Sequence, residues 1–86
     1  MRKENKAEVV RRLKSVEGHV RGIVKMVEEG DVSYADVVQQ TNAVFSAVRR
    51  VNTLLLKDYV EERAERDGAS EEMMKDLAKA IDRVTK

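Results

Sequence analysis

The stretch of sequence that decides the fold covers residues 34–66 and reads YADVVQQTNAVFSAVRRVNTLLLKDYVEERAER. It contains neither glycine nor proline, and the next glycine along the chain is Gly68. Ser33, directly before it, is a favourable N-cap residue, and Asp36 places an acid in the first turn, where it suits the helix dipole. The stretch therefore predicts one continuous helix, roughly 50 Å long at 1.5 Å per residue.

This helix is too long and too broadly apolar for a compact monomer. A globule of 86 residues has a radius of gyration of about 12 Å and a diameter of about 30 Å. Four of seven heptad positions are largely apolar, whereas one partner face needs about three. The rows are Val37/Val44/Val51, Val38/Phe45/Tyr59, Val48/Leu55 and Ala47/Leu54. The excess predicts an antiparallel homodimer of long helices; the alternative is a break near Asn52–Thr53, which gives a monomeric bundle.

Two shorter helices are predicted on either side, at about residues 6–29 and 70–84. Asn5 and Glu8 have the spacing of a capping box, and Gly30 fits a C-terminal stop. The apolar residues of the first helix alternate in steps of four and three, as in a coiled-coil seam: Val9, Leu13, Val16, Val20, Ile23 and Val27. The third helix, which opens at Ser70, is short and must dock on another helix. The fold class is therefore all-α, with residues 1–86 forming a single three-helix domain.

The composition excludes several classes of function. The chain has no cysteine, so it forms no disulfide, thiolate ligand or thiol nucleophile. Its one histidine, His19, is not enough for a usual zinc or copper site, and no catalytic motif is present. We therefore expect no enzyme, no cofactor and no bound metal. No apolar run reaches membrane-spanning length and no signal peptide is visible, which predicts a cytoplasmic protein with no membrane partner.

The charge is unevenly distributed, although the net charge is only +1. Residues 1–25 carry eight basic and three acidic side chains, residues 26–48 carry four acids and no base, and the remainder balances. A basic first third predicts a polyanionic partner, with nucleic acid the first candidate. The alternative is an ordinary solvated helix face.

Much of this positive charge forms a stripe on the first helix. The stripe consists of Arg11, Lys14, Gly18, Arg21 and Lys25, and it lies about 150° from the apolar seam. A glycine inside a helix costs about 1 kcal/mol relative to alanine, which indicates a close approach to Gly18 by a phosphate or by a neighbouring helix. Arg49 and Arg50 form a second basic pair on the long helix.

Other polar residues have weaker interpretations. His19 lies beside the basic stripe, where a lone histidine is more typical of a surface or interface than of a metal site. The acids near the end of the long helix either hold a hard cation weakly or form a solvated face interleaved with bases. They are Asp58, Glu61, Glu62 and Glu65.

Two strings then become informative together: residues 12–29, RLKSVEGHVRGIVKMVEE, and residues 36–44, DVVQQTNAV. Their glycine spacing and Asp–Gln pair resemble the copper-sensitive operon repressor family (CsoR/RcnR-like), over about residues 9–66. The resemblance implies a three-helix protomer, an antiparallel dimer or dimer-of-dimers tetramer, and binding to double-stranded operator DNA without a helix-turn-helix. It implies that Arg12 and Arg50 match the DNA-linked arginines, and that Lys14 and Arg21 belong to the basic surface.

The resemblance also implies that the metal-sensing site is not retained. The family's ligand positions fall on Tyr34, Tyr59 and Arg63, and none of these is a soft-metal ligand. They form a vestigial effector site, either filled and structural or able to take an anionic or aromatic small molecule as an unknown effector.

The sequence thus predicts a DNA-binding transcriptional repressor; the alternatives are a helical oligomeric interaction module without specific DNA binding and a regulator that binds a hard cation. The predicted DNA-binding residues are Arg11, Arg12, Lys14, Arg21, Lys25, Arg49 and Arg50.

Overall fold

A computed structural model describes residues 1–67 and 70–85, without the side chains of residues 67, 84 and 85. The chain forms three α-helices: α1 (Lys3–Glu29), α2 (Tyr34–Asp67) and α3 (Glu71–Thr85). No strand occurs among the described residues, which confirms the all-α class. α2 continues through Asn52 and Thr53, so the alternative of a broken helix is wrong.

Three of the predicted helix ends are confirmed by their hydrogen bonds. The backbone N–H of Asp36 donates to Ser33 Oγ over 3.1 Å, and that of Met73 donates to Ser70 Oγ over 3.2 Å. Gly30 ends α1 in the left-handed region with φ 75°, and its N–H donates to the Val27 carbonyl over 3.1 Å. Glycine adopts this conformation without the steric cost that a Cβ atom brings.

The predicted capping box at the start of α1 is wrong. The helix begins at Lys3, its N-cap is Arg2, and no side chain caps it. Asn5 lies inside the first turns, where its Nδ2 donates to Asp58 Oδ1 over 2.5 Å. Glu8 accepts hydrogen bonds from Arg11 and Arg12 instead of reaching back to a backbone N–H. Asn5 therefore binds Asp58 on α2, and Glu8 binds its basic neighbours on α1, instead of forming the local cap.

The three helices form a thin layer. α1 runs antiparallel to α2, and α3 packs against α2, to which the 3.0 Å ion pair between Lys57 Nζ and Asp82 Oδ1 joins it. The radius of gyration is 17.0 Å, compared with about 12 Å for a compact globule of this length. The molecule measures 56 × 25 × 11 Å, and the shortest dimension is close to one helix diameter.

A layer this thin has almost no interior. Among the described residues, the buried apolar side chains are Val9, Val51 and Ala64, and none of the described side chains is fully buried. Large apolar residues on both α1 and α2 remain open to solvent. The protomer therefore carries an apolar surface that the described part of the chain does not cover.

The predicted seam of α1 is correct for only half of its members. The side of α1 that packs on α2 is formed by Asn5, Val9, Arg12, Val16, His19, Ile23 and Met26. Leu13, Val20 and Val27 remain 44%, 42% and 56% exposed. The apolar stripe of α1 is wider than one partner face. The aliphatic stem of Arg12 and the ring of His19 fill part of the interface, while their polar atoms reach its edge.

No helix in the described ranges has the length and apolarity needed to cross a membrane.

Candidate nucleic-acid interface

A groove between α1 and α2 collects positive charge on one face of the layer. We call it the basic groove; it is lined by the cations Arg12, Arg49, Arg50 and Lys57, the carboxylates Glu8 and Asp82, and also by Ser46, Thr53 and Leu54. A smaller crevice adjoins it and is lined by Arg11, Arg12, Ser15, Val16, His19, Ala47 and Arg50. Arg12 and Arg50 line both, so they lie at the centre of this surface. The structure thus brings together Arg11, Arg12, Arg49 and Arg50 of the predicted DNA-binding set.

Glu8 holds two of these arginines. Arg11 binds it through two nitrogens, with Nη2 2.7 Å from Oε1 and Nε 3.0 Å from Oε2. Arg12 donates its Nε to Oε1 over 2.7 Å. These hydrogen bonds, first from Arg11 and then from Arg12, lower the pKa of the Glu8 carboxyl to about 2. Glu8 in turn raises the pKa of Arg11.

The other predicted basic residues of α1 lie elsewhere. Lys14, Arg21 and Lys25 are exposed on the side of α1 turned away from α2, roughly 160–180° around the helix axis at 100° per residue. Arg21 pairs there with Glu17, with Nη2 2.8 Å from Oε1. The structure therefore divides the predicted surface into a groove and an outer side of α1.

Gly18 lies on that outer side, in open space. A Cβ atom built on it meets nothing within 4 Å. A neighbouring helix from the described part of this chain is therefore not the reason for the glycine. Close approach by a phosphate, or by a helix of a second copy, stays a prediction.

His19 has a specific partner at the edge of the smaller crevice. Its Nε2 lies 2.7 Å from Oε1 of Gln40, which ties the middle of α1 to the first half of α2. The pair was not predicted from the sequence, because it depends on how the two helices are aligned. Glu8, Lys57 and Asp82 were also missed as groove residues; the spacing of Glu8 from Arg11 and Arg12 was the one usable signal.

The acidic cluster of α2 contacts the first residues of α1. Asn5 reaches Asp58, Arg2 pairs with Glu65 and, over 3.6 Å, with Glu61, and the terminal amine of Met1 lies 3.2 Å from Glu62. Glu65 is the main cause of the raised pKa of Arg2. Within the described ranges, no three His, Asp or Glu side chains are arranged to hold a metal ion. The buried Asp58 therefore fastens α1 to α2, whereas Glu61, Glu62 and Glu65 are paired at the surface, with side chains 44%, 48% and 63% exposed.

The predicted effector residues do not meet within one protomer. Arg63 Nη1 donates to the Tyr59 hydroxyl over 2.8 Å, one turn apart on α2. Tyr34 lies at the opposite end of the same helix, roughly 37 Å away, and is 93% exposed. An antiparallel second copy is needed to bring Tyr34 near the other two.

The comparisons with known proteins identify the family of this chain. A family model described as metal-sensitive transcriptional repressor matches residues 5–83, and the chain therefore belongs to that family. The copper-sensing transcriptional repressor CsoR of Mycobacterium bovis (strain BCG / Pasteur 1173P2) is 35% identical over 79 residues, which cover 88% of this chain and 66% of the relative. The chain thus spans just under two thirds of that relative's length.

Two further relatives match to different extents. The copper-sensing transcriptional repressor RicR of Mycobacterium tuberculosis (strain ATCC 25618 / H37Rv) is 44% identical over 57 residues, which cover 66% of this chain and 58% of the relative. CsoR of Bacillus subtilis (strain 168) is 34% identical over 86 residues, covering 96% and 84%. No solved structure matches the chain.

The donor atoms of this chain do not fit the copper that the relatives' names imply. Copper(I) favours soft ligands, above all thiolates, and the chain has no cysteine. The single histidine is hydrogen-bonded to Gln40 through Nε2, and Tyr59 accepts a hydrogen bond from Arg63. One imidazole and a phenol oxygen, without any thiolate, do not form a soft-metal site of the usual kind.

Proposed function

We propose that this chain is a DNA-binding transcriptional repressor that contacts the duplex through the basic groove and the adjoining Arg11. The observation that carries the proposal is the meeting of Arg12 from α1 with Arg50 from α2 along one groove. Arginine binds phosphate through paired N–H groups, and rows of such cations release counterions from DNA. Family membership supports the same function.

The repressor acts as a homodimer or as a homotetramer built from two dimers. The opposite face of the α1–α2 layer, which we call the apolar face, supports this; its exposed members are Leu13, Val20, Val24, Val27, Val38, Phe45 and Val48. Exposed apolar patches of this extent are typical of association surfaces. A twofold axis through that face would leave one basic groove on each protomer free for DNA.

The signal that this repressor reads is not a soft metal bound by thiolates. Tyr34, Tyr59 and Arg63 form the effector site across the dimer, and two phenols with a guanidinium suit an anionic or aromatic small molecule. Isothermal titration of the intact protein with Cu(I), and separately with small aromatic acids, tests this. Nanomolar Cu(I) binding contradicts the loss of the metal site.

A fluorescence anisotropy titration with duplex DNA across a salt series tests DNA binding. We expect the logarithm of the association constant to fall with the logarithm of salt by about 0.9 for each phosphate contacted. Arg12→Ala and Arg50→Ala should each weaken binding by about tenfold or more and flatten the slope by about 2 per dimer. Lys79→Ala, an exposed lysine of α3, is the matched control and should change neither quantity.

If the chain is instead a helical interaction module without specific DNA binding, the opposite results are expected. Binding that is flat with salt, together with silent Arg12 and Arg50 variants, would indicate that the basic groove does not contact DNA.

A further inference from the structure

The basic groove contains two carboxylates among its cations. Glu8 binds Arg11 and Arg12 over 2.7 Å each, and Asp82 binds Lys57 over 3.0 Å. Both acids line the groove itself, and they come from different helices, Glu8 from α1 and Asp82 from α3. The groove is therefore partly neutralised before any DNA arrives.

We propose that Glu8 and Asp82 compete with DNA phosphates for the cations of the basic groove and for the adjoining Arg11, and so set how tightly this chain holds duplex DNA. The inference rests on the proposed function, because it concerns the same surface. Phosphate binding by the arginines alone does not explain why the carboxylates of Glu8 and Asp82 line the same groove.

The competition follows from which donor atoms the carboxylates occupy. Glu8 takes Nε and Nη2 of Arg11, which together form the edge that binds an anion through two parallel hydrogen bonds. It also takes Nε of Arg12. A phosphate must displace Glu8 to bind through these edges or bind beside its negative charge, and either course weakens the complex.

Asp82 extends the competition to α3. Its pair with Lys57 links α3 to the groove, and both side chains are 37% exposed, so solvent and ligands reach them. Phosphate binding to Lys57 weakens this link. Because such coupling is reciprocal, docking of α3 through this pair weakens phosphate binding at Lys57 by the same factor by which bound phosphate weakens the docking.

The test measures duplex binding by the full-length chain and by the variants Glu8→Gln and Asp82→Asn, each of which removes a charge and keeps the side-chain shape. We expect Glu8→Gln to tighten binding about threefold per protomer, or about tenfold in a dimer, since a charge several ångströms from a phosphate acts through water. Asp82→Asn should act in the same direction. Both gains should shrink as salt rises, and the salt slope should become steeper.

Matched controls separate competition from a change in net charge. Glu71→Gln breaks an exposed i,i+4 ion pair with Lys75, 3.9 Å long, on α3. Asp76→Asn removes one charge from an exposed position of α3. Both should change affinity by less than about twofold. Circular dichroism confirms that every variant remains helical.

Three outcomes overturn the inference. Unchanged or weaker binding by Glu8→Gln would mean that Glu8 positions the arginines instead of competing for them. An equal gain in Glu71→Gln would reduce the effect to net charge. If the unmodified chain and all variants fail to bind at low salt, the proposed function fails as well, whereas binding without a gain overturns only the role of the two carboxylates.

Discussion

The two faces of the α1–α2 layer are built from the same helices and differ in how complete they are. On the basic face, Arg11, Arg12 and Lys57 already have carboxylate partners within the protomer. On the apolar face, Phe45 and Val27 remain 59% and 56% exposed. One chain therefore provides partners for several cations of its polar face and leaves its apolar face exposed.

This difference has a physical origin. Ion pairs along one helix form between residues three or four apart and need no other chain. Burial of an apolar side chain needs a surface to cover it, and a single layer of helices offers none on its open face. Substitutions on the apolar face should therefore act on assembly, whereas substitutions in the basic groove should act on DNA binding.

Phe45→Glu, on the apolar face, should have the largest effect on the protein. In an isolated protomer this substitution changes a solvent-exposed position, so it would cost little. If a second copy covers Phe45, the variant buries an unpaired charge in the interface and loses about 3–5 kcal/mol per site. We expect a fall in mass by light scattering, a large fall in thermal stability, and loss of DNA binding.

Phe45→Leu is the control, because it keeps an apolar side chain and should retain the oligomer. If Phe45→Glu keeps the mass and stability of the unmodified protein, the apolar face is not the interface.

Asn5→Ala should have the next largest effect, because it tests the polar contacts that hold the layer itself together. Asp58, which accepts the hydrogen bond of Asn5, is only 4% exposed. A lost hydrogen bond to a buried charged group costs about 1.5–3 kcal/mol in the free energy of unfolding. Urea unfolding of the full chain measures this loss.

Arg2→Ala provides the comparison for that experiment. Its ion pairs with Glu61 and Glu65 lie at the surface, so the loss should be smaller than for Asn5→Ala. Equal losses for the two variants would contradict the special role of the buried carboxylate.

The sequence predicted the helices well because their ends are local. Ser33, Ser70 and Gly30 each act through a backbone group within three residues, so the letters alone carry the information. The length of α2 and the width of its apolar surface also follow from spacing along one helix. The false capping box at Asn5 shows the limit, since its real partner, Asp58, is distant in the sequence.

The site was harder to predict than the fold. Spacing placed Arg11 with Lys14, Arg21 and Lys25, because it describes one helix at a time. The groove instead joins Arg12 to Arg50 through the packing of two helices, and the resemblance to a known family, not periodicity, had paired them. Glu8 and Asp82 were not predicted as groove residues, because their place in the groove depends on which cations the packing brings beside them.

The smallest expected effect concerns pH and the Glu8 pair. Its pKa lies at about 2 in the folded chain and at the ordinary 4.5 when unfolded. The stabilisation from this lowered pKa is therefore fully present above about pH 4.5 and is lost as the pH falls towards 2. The difference in urea midpoint between the unmodified chain and Glu8→Gln should be constant from neutral pH down to about pH 4.5 and should shrink below it. The effect should be small, because water and salt screen this solvent-exposed pair. An NMR titration that places the midpoint of Glu8 near pH 4.5 would mean that Arg11 and Arg12 do not hold its carboxylate in solution.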